Sequence, residues 1–254
     1  MVIFSIANAK GGVGKTTFTI NLAGELSKHG KVLLIDNDPQ CNITQSLLPG
    51  SNFEKGLHYV YVDESIGFSD IILSYKENEN IFIAPNSLSS TQLEYQLINH
   101  IGRESILTRK AHTIPEDFDF VLIDNMPFLG TVCLNGILLS DYMISVIDNS
   151  DMSIQGLTLI DYQFRQLQQY IKPSLRCIGV VRNNFDKNTN YTKDFNKQAE
   201  KAIGSQVFET IIYKSVRYKE AISKGKTVQQ AYPEYAKPYT EIVKEIFSRL
   251  NLNT

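Results

Sequence analysis

The stretch Asn8-Ala9-Lys10-Gly11-Gly12-Val13-Gly14-Lys15-Thr16-Thr17 decides the fold. It follows an apolar, β-branched run, Val2–Ala7, and leads into Thr16–Lys28, where apolar residues recur at helical spacing. A strand that passes through glycines into a helix is what a triphosphate requires. Glycines let the backbone curl so that successive N–H groups point inward, and the helix N-terminus adds its positive end. In that arrangement Lys15 reaches the β- and γ-phosphates and Thr16 offers a hydroxyl to magnesium, while Gly11, Gly12, Val13, Gly14 and Thr17 complete the cradle. The strict G-x-x-x-x-G-K-[ST] pattern fails at its first glycine, where Ala9 stands, and a second lysine, Lys10, precedes the glycine pair.

Working outward, short apolar runs recur at Ile81–Ala84, Phe120–Ile123, Tyr142–Ile147, Ile178–Val181 and Val207–Ile212, as well as at residues 32–35. Buried parallel strands read this way. Helical spacing appears between them at Thr16–Lys28, Thr91–Thr108, Ser153–Tyr170 and Thr192–Ile203, and again at Tyr239–Leu250 with an apolar stripe of Ile242, Val243, Ile246, Phe247 and Leu250. The alternation predicts an α/β fold, a doubly wound and mostly parallel sheet flanked by helices, whose ligands sit at the carboxyl ends of the strands. With 254 residues, 43% of them hydrophobic and 20% charged, a single domain over 1–254 is expected. A net charge of −2 advertises neither nucleic acid nor membrane by itself. The first strand begins at residue 2, so no N-terminal helix-turn-helix domain is expected. Cys41, Cys133 and Cys177 lack metal-ligand spacing and read as structural thiols of a reducing, cytoplasmic protein.

Two strands end in acids. The run at residues 32–35 closes in Asp36-Asn37-Asp38-Pro39-Gln40-Cys41, and Phe120–Ile123 closes in Asp124. Carboxylates gathered at the sheet edge beside a phosphate loop call for magnesium and water as partners.

The Lys-Gly-Gly-x-Gly-Lys-Thr-Thr loop, the Asp-x-Asp-Pro-Gln run and the segment Val216-Arg217-Tyr218-Lys219-Glu220-Ala221-Ile222-Ser223-Lys224-Gly225-Lys226 together resemble the ParA/MinD family of deviant Walker A P-loop ATPases, over about residues 2–250. That resemblance implies an ATP- and Mg2+-dependent hydrolase that works as a nucleotide-sandwich homodimer. Lys15 becomes the lysine of its own site and Lys10 the lysine that reaches the partner's nucleotide. Asp36 orders magnesium waters, Asp38 positions the attacking water, and Asp124 holds magnesium through water. Relatives cover the adenine with Pro-Arg-Asn where this chain has Tyr213-Lys214-Ser215, which sets Tyr213 beside the base; Asn183 is the side-chain candidate for reading it. After Asp124 the family continues Pro-Pro-Ser-Leu-Gly, whereas Asn125-Met126-Pro127-Phe128-Leu129-Gly130 keeps the second proline and the Leu-Gly. Cys41 stands where glycine is usual.

The Asp-Pro-Gln run favours the ParA/Soj branch over the membrane-bound MinD branch, and the short neutral tail agrees, so stable membrane association is not expected. A bridging iron–sulfur cluster would need two placed cysteines per subunit, and only Cys133 is near. Lys214, Arg217, Lys219, Lys224 and Lys226 against Glu220 give residues 214–226 a balance of +4. This fits a patch for DNA phosphates, joined by Lys187 in the Asp186–Asn190 loop, where Asn188 replaces a common arginine. The expected function is DNA partition, with non-specific DNA and a ParB-like partner that stimulates hydrolysis. The alternatives are an ATP-switched positioning protein for a non-DNA cargo and a MinD-like membrane-associated division-site ATPase.

Overall fold

The computed structural model describes residues 1–8, 10–127, 130–148, 162, 164–187, 192 and 206–252. Ala9, Phe128, Leu129, Asn188 and most of the expected helices at 153–170 and 192–203 lie outside them.

Among the described residues eight strands form one sheet: β1 (Val2–Ala7), β2 (Val32–Asn37), β3 (Leu73–Ser74), β4 (Ile81–Ala84), β5 (Phe120–Asn125), β6 (Tyr142–Ile147), β7 (Arg176–Phe185) and β8 (Val207–Tyr213). Their order is β3-β4-β2-β5-β1-β6-β7-β8, and every pairing is parallel except that of the two-residue strand β3 with β4. All seven expected strands are present. The sequence did not announce β3, whose two residues are too few to show a period.

Side-chain alternation sorts each central strand onto two cores. Phe4, Ile6, Leu34 and Leu122 pack with Phe18, Leu22 and Leu26 of the helix α1 (Lys15–Leu26) and with Tyr239, Ile242, Val243, Ile246 and Phe247 of the last helix, Lys237–Leu250. Ile3, Leu33, Ile35, Val121 and Ile123 face the other way, toward Leu57, Val60, Leu93, Leu107 and Val132. The stripe on the last helix is therefore a core face, as its spacing predicts. Arg249 of this helix donates to the carbonyl oxygens of Ile178 and Val207, at 2.6 and 2.9 Å.

One expectation fails. Residues 91–108 are not one helix but short pieces, including Leu93–Gln96 and Ile106–Arg109, separated at Gly102 with φ 66°. A left-handed residue ends a right-handed helix, and Ile101, 95% exposed, shows that the apolar spacing there does not face the core.

Between β7 and β8 the backbone ladder slips, with register shifts on either side of Arg182. Side chains take over where main-chain pairing lapses. Arg182 Nη2 donates to the carbonyls of Phe208 and Glu209 at 2.7 and 2.9 Å, and the Glu245 carboxylate accepts from the N–H groups of Glu209 and Thr210 at 2.8 and 2.9 Å.

Candidate nucleotide site

The loop after β1 has the curl that its glycines predict. Gly12 and Gly14 sit at φ 81° and 86°, a conformation that side-chain-bearing residues rarely adopt, and Gly14 is the N-cap of α1. Room is limited as well as conformation, because a Cβ on Gly14 would fall 2.5 Å from Asn183 Nδ2. Asn183 lies buried at the end of β7 and donates that nitrogen to Val13 O at 2.9 Å. It therefore supports the loop, a role that sequence alone did not assign. Gly11 approaches Pro127, the proline retained after Asp124, to within 3.7 Å of its would-be Cβ.

Lys15 is buried at the start of α1 and turns back to donate to Lys10 O at 3.3 Å. Burial lowers the pKa of its ammonium, and the nearby Asp124 and Asp38 carboxylates work in the opposite direction. Lys10 behaves differently. Its side chain is 42% exposed and its Nζ stands 3.7 Å from Asp148 Oδ1, just beyond β6. One lysine thus belongs to the interior of the site and the other to its rim.

The acids converge as expected. Strand register pairs Asp36 with Asp124, and both carboxyls are fully buried on the α1 side of the sheet. Thr16 Oγ1 donates to Asp124 Oδ2 at 2.6 Å. Thr44 gives Asp36 Oδ2 both its N–H, at 2.8 Å, and its hydroxyl, at 2.6 Å. Asp36 Oδ1 is buried with no hydrogen-bond partner. Burial, the largest cause, raises both acids to a pKa of about 7; the Asp38 carboxylate raises each further, and Asp36 adds to the rise at Asp124. A pair of desolvated carboxyls with an orphan oxygen, beside a threonine hydroxyl, is a donor set made for a hard cation; these residues fit magnesium. Asp38, nearly buried, accepts from the Gln40 N–H at 2.8 Å. Thr44 was not foreseen, since its eight-residue offset from Asp36 forms no recognisable motif.

Cys41 explains why a glycine is usual at its position. It has φ 54° and ψ 37°, left-handed, as N-cap of the Asn42–Leu47 helix, and its thiol is buried, which pushes its pKa up to about 12. Left-handed strain on a non-glycine residue costs about 1 kcal/mol, similar to what burying a small side chain returns. Cys41→Gly is therefore expected to leave stability within about 1 kcal/mol of the parent, while Cys41→Val should lose about 2 kcal/mol or more, because β-branching tolerates this conformation least. Paired thermal melts check both. Cys133 is buried with its thiol likewise raised to about 12, and Cys177 is partly buried.

The basic segment is built on the helix Val216–Ser223, capped by Ser215, whose Oγ accepts from the Arg217 N–H at 3.2 Å. Arg217 pairs with Glu220 at 2.7 Å, Lys226 with Glu77 at 3.2 Å, and Lys224 donates to Tyr232 OH at 2.8 Å. Glu77 comes from a distant loop, so the local positive balance is smaller in space than along the chain. Lys214 and Lys219 are exposed at the same end, and Lys187 lies over the Tyr213 ring, 5.5 Å from its centroid.

A family model described as an AAA domain matches residues 1–177. The sporulation initiation inhibitor protein Soj of Bacillus subtilis is 31% identical over 250 residues, spanning 96% of this chain and 97% of Soj. The chain belongs to the ParA/Soj-type family of partition ATPases. Solved structures agree. A putative plasmid partition protein of Borrelia burgdorferi bound to AMPPNP aligns with a TM-score of 0.82 and 26% identity, over 98% of this chain and 99% of that one. A Cyanothece McdA complex with ATP aligns at 0.85 with 23% identity, over 100% and 98%, and shares the fold. No helix among the described residues is long and apolar enough to cross a membrane.

Proposed function

We propose that this protein is an ATP-driven switch for DNA partition, closing as a homodimer on ATP, binding DNA without sequence preference and hydrolysing ATP under stimulation by a ParB-like partner. The observation that carries it is the convergence of Lys15, Thr16, Asp36, Asp38 and Asp124 beside the glycine loop, with Lys10 directed to the rim. Loop N–H groups and Lys15 bind the phosphates. Magnesium, when bound, supplies countercharge for them, and Thr16, Asp36 and Asp124 would hold it. Asp38 orients the attacking water, Lys10 completes the partner's site, and Asn183 and Tyr213 border the adenine. The protein acts in the cytoplasm, on the nucleoid in its ATP-bound form.

DNA binding is assigned to Lys187, Lys214, Arg217, Lys219, Lys224 and Lys226. A dimer doubles these contacts on one duplex, so dimerisation is the DNA switch. The partnering of Arg217 and Lys226 with Glu220 and Glu77 favours a second reading, a positioning protein for another cargo.

Light scattering with ATP and magnesium, followed by titration of random-sequence duplex, separates the two. The parent should dimerise, and Lys10→Ala should bind ATP but remain monomeric. With about six phosphates neutralised per dimer, log affinity should fall against log salt with a slope near −5, and Arg217→Glu should weaken binding on every sequence alike. Unaltered DNA affinity and salt slope in Arg217→Glu, with dimerisation intact, would favour the other cargo.

A further inference from the structure

On the face of the sheet opposite α1, four buried side chains form one directed line of hydrogen bonds. Tyr61 OH donates to Asn37 Oδ1 at 2.8 Å, Asn37 Nδ2 to Asn125 Oδ1 at 2.9 Å, and Asn125 Nδ2 to Ser5 Oγ at 2.8 Å. The line crosses β2, β5 and β1 in the order in which those strands pair. Each amide is held a second time, Asn37 Nδ2 by Val132 O at 2.9 Å and Asn125 Nδ2 by Ile6 O at 3.2 Å. Both asparagines are fully buried, beside an otherwise apolar layer.

Two amides in such a layer cost desolvation that a pair of aliphatic residues would avoid, so a fully satisfied line marks a place where direction and distance matter. The neighbouring helix, Thr131–Leu139, makes room for it. A Cβ on Gly136 would lie 2.1 Å from Asn125 Oδ1 and 2.8 Å from Asn37 Nδ2. Register pairs Asn37 with Asn125 one step beyond the pairing of Asp36 with Asp124. Since successive side chains alternate faces, the amide bridge and the acid pair lie back to back on the same two strands. Apolar contacts would tolerate sliding of one strand end against the other, whereas a bonded amide pair fixes it. Val132 O extends the hold to the helix that follows Asp124.

We propose that the Asn37–Asn125 bridge is a positioning device that sets the spacing of Asp36 and Asp124 from the far side of the sheet and makes the two acidic loops move together with the Thr131–Leu139 helix. The inference rests on the ATPase reading above.

Asn37→Ala, Asn125→Ala and the double variant test it, with kcat measured at saturating ATP and magnesium per folded molecule and ATP affinity measured by calorimetry. Each single variant should lose about tenfold in kcat with affinity within threefold of the parent. The double should fall no further than the singles, because one unit is broken only once. Without ligand, amide exchange at residues 131–133 should quicken in Asn37→Ala. Tyr61→Phe, which removes one hydroxyl from the end of the line, should lose about threefold in kcat; if the alanine variants fail to fold, it decides alone. Unchanged kcat in the variants that fold, or single losses that multiply to about a hundredfold in the double, overturns the proposal. Lys15→Ala is the control that separates the two claims: a parent without turnover that this change removes sinks the ATPase reading, and the role of the bridge with it.

Discussion

Lys15→Ala is expected to reduce ATP affinity by two to three orders of magnitude, to the point of abolishing binding at micromolar nucleotide. The ammonium stands in a buried site beside the Asp124 and Asp38 carboxyls, and the other lysine of the loop, Lys10, lies at the rim. In the interior of the site a triphosphate entering without Lys15 would meet carboxyls and neutral loop N–H groups, with the magnesium it brings as its remaining countercharge there. Losing one partner of a desolvated charge pair costs about 3–4 kcal/mol, which is the stated change in affinity. Calorimetry with ATP reads it directly, and equal affinity in the variant would remove the phosphate-loop assignment. The change should leave the fold in place, since α1 keeps its buried face of Phe18, Leu22 and Leu26.

The second large effect runs in opposite directions for stability and activity. Asp124→Asn should raise the melting temperature of the nucleotide- and metal-free protein while eliminating ATP turnover. Folding raises the pKa values of Asp36 and Asp124 to about 7, mainly by burial. Between about pH 4 and 7 the native chain therefore holds protons that the unfolded chain has released, and stability falls as pH rises through that window, levelling off above it. Near pH 7.5 the folded state bears the whole penalty of two crowded, desolvated carboxylates. Replacing one with its neutral isostere, which still accepts from Thr16, should recover about 2 kcal/mol, or roughly 4–8 °C for a chain of this size. Melts at pH 5 and pH 7.5 in chelating buffer check the sign: the gain should be large at the higher pH and small at the lower. A variant no more stable than the parent at pH 7.5 would show that the acids are relieved by some other means.

The parts of this molecule that were legible in the sequence are those whose cause is local. Strands buried on both faces read as unbroken apolar runs, so β1, β2 and β4–β8 were found, although β2 and β5 extend two residues further than their apolar cores, through Asp36-Asn37 and Asp124-Asn125. The glycine loop and the acids carry their chemistry in short spacings and were found with it. The Thr131–Leu139 helix was missed because it is apolar nearly all round and shows no stripe. Its N-terminus is capped by Glu94, which accepts from the N–H groups of Thr131 and Val132 at 3.0 and 2.9 Å, a contact between residues far apart in sequence that no local pattern announces. Asn183 illustrates the same limit. The chain order placed it near the nucleotide, but only the packing of β7 against the loop shows that its amide supports Val13. The strain at Cys41 was visible only as a departure from glycine, and its left-handed backbone supplies the reason.

The slipped ladder between β7 and β8 has a consequence for how the sheet comes apart. Strands joined by main-chain pairing usually lose their protection together, in a cooperative opening. Here the N–H groups of Glu209 and Thr210 depend on a single glutamate carboxylate, and the facing carbonyls on a single guanidinium. One rotamer change at Glu245 releases two amides to solvent while β1, β5 and β2 stay shut. Those two amides can therefore open at a free energy well below that of global unfolding, while Phe208 and Ile212 hold the strand in the core, and in hydrogen exchange they should behave as a separate, shallow site.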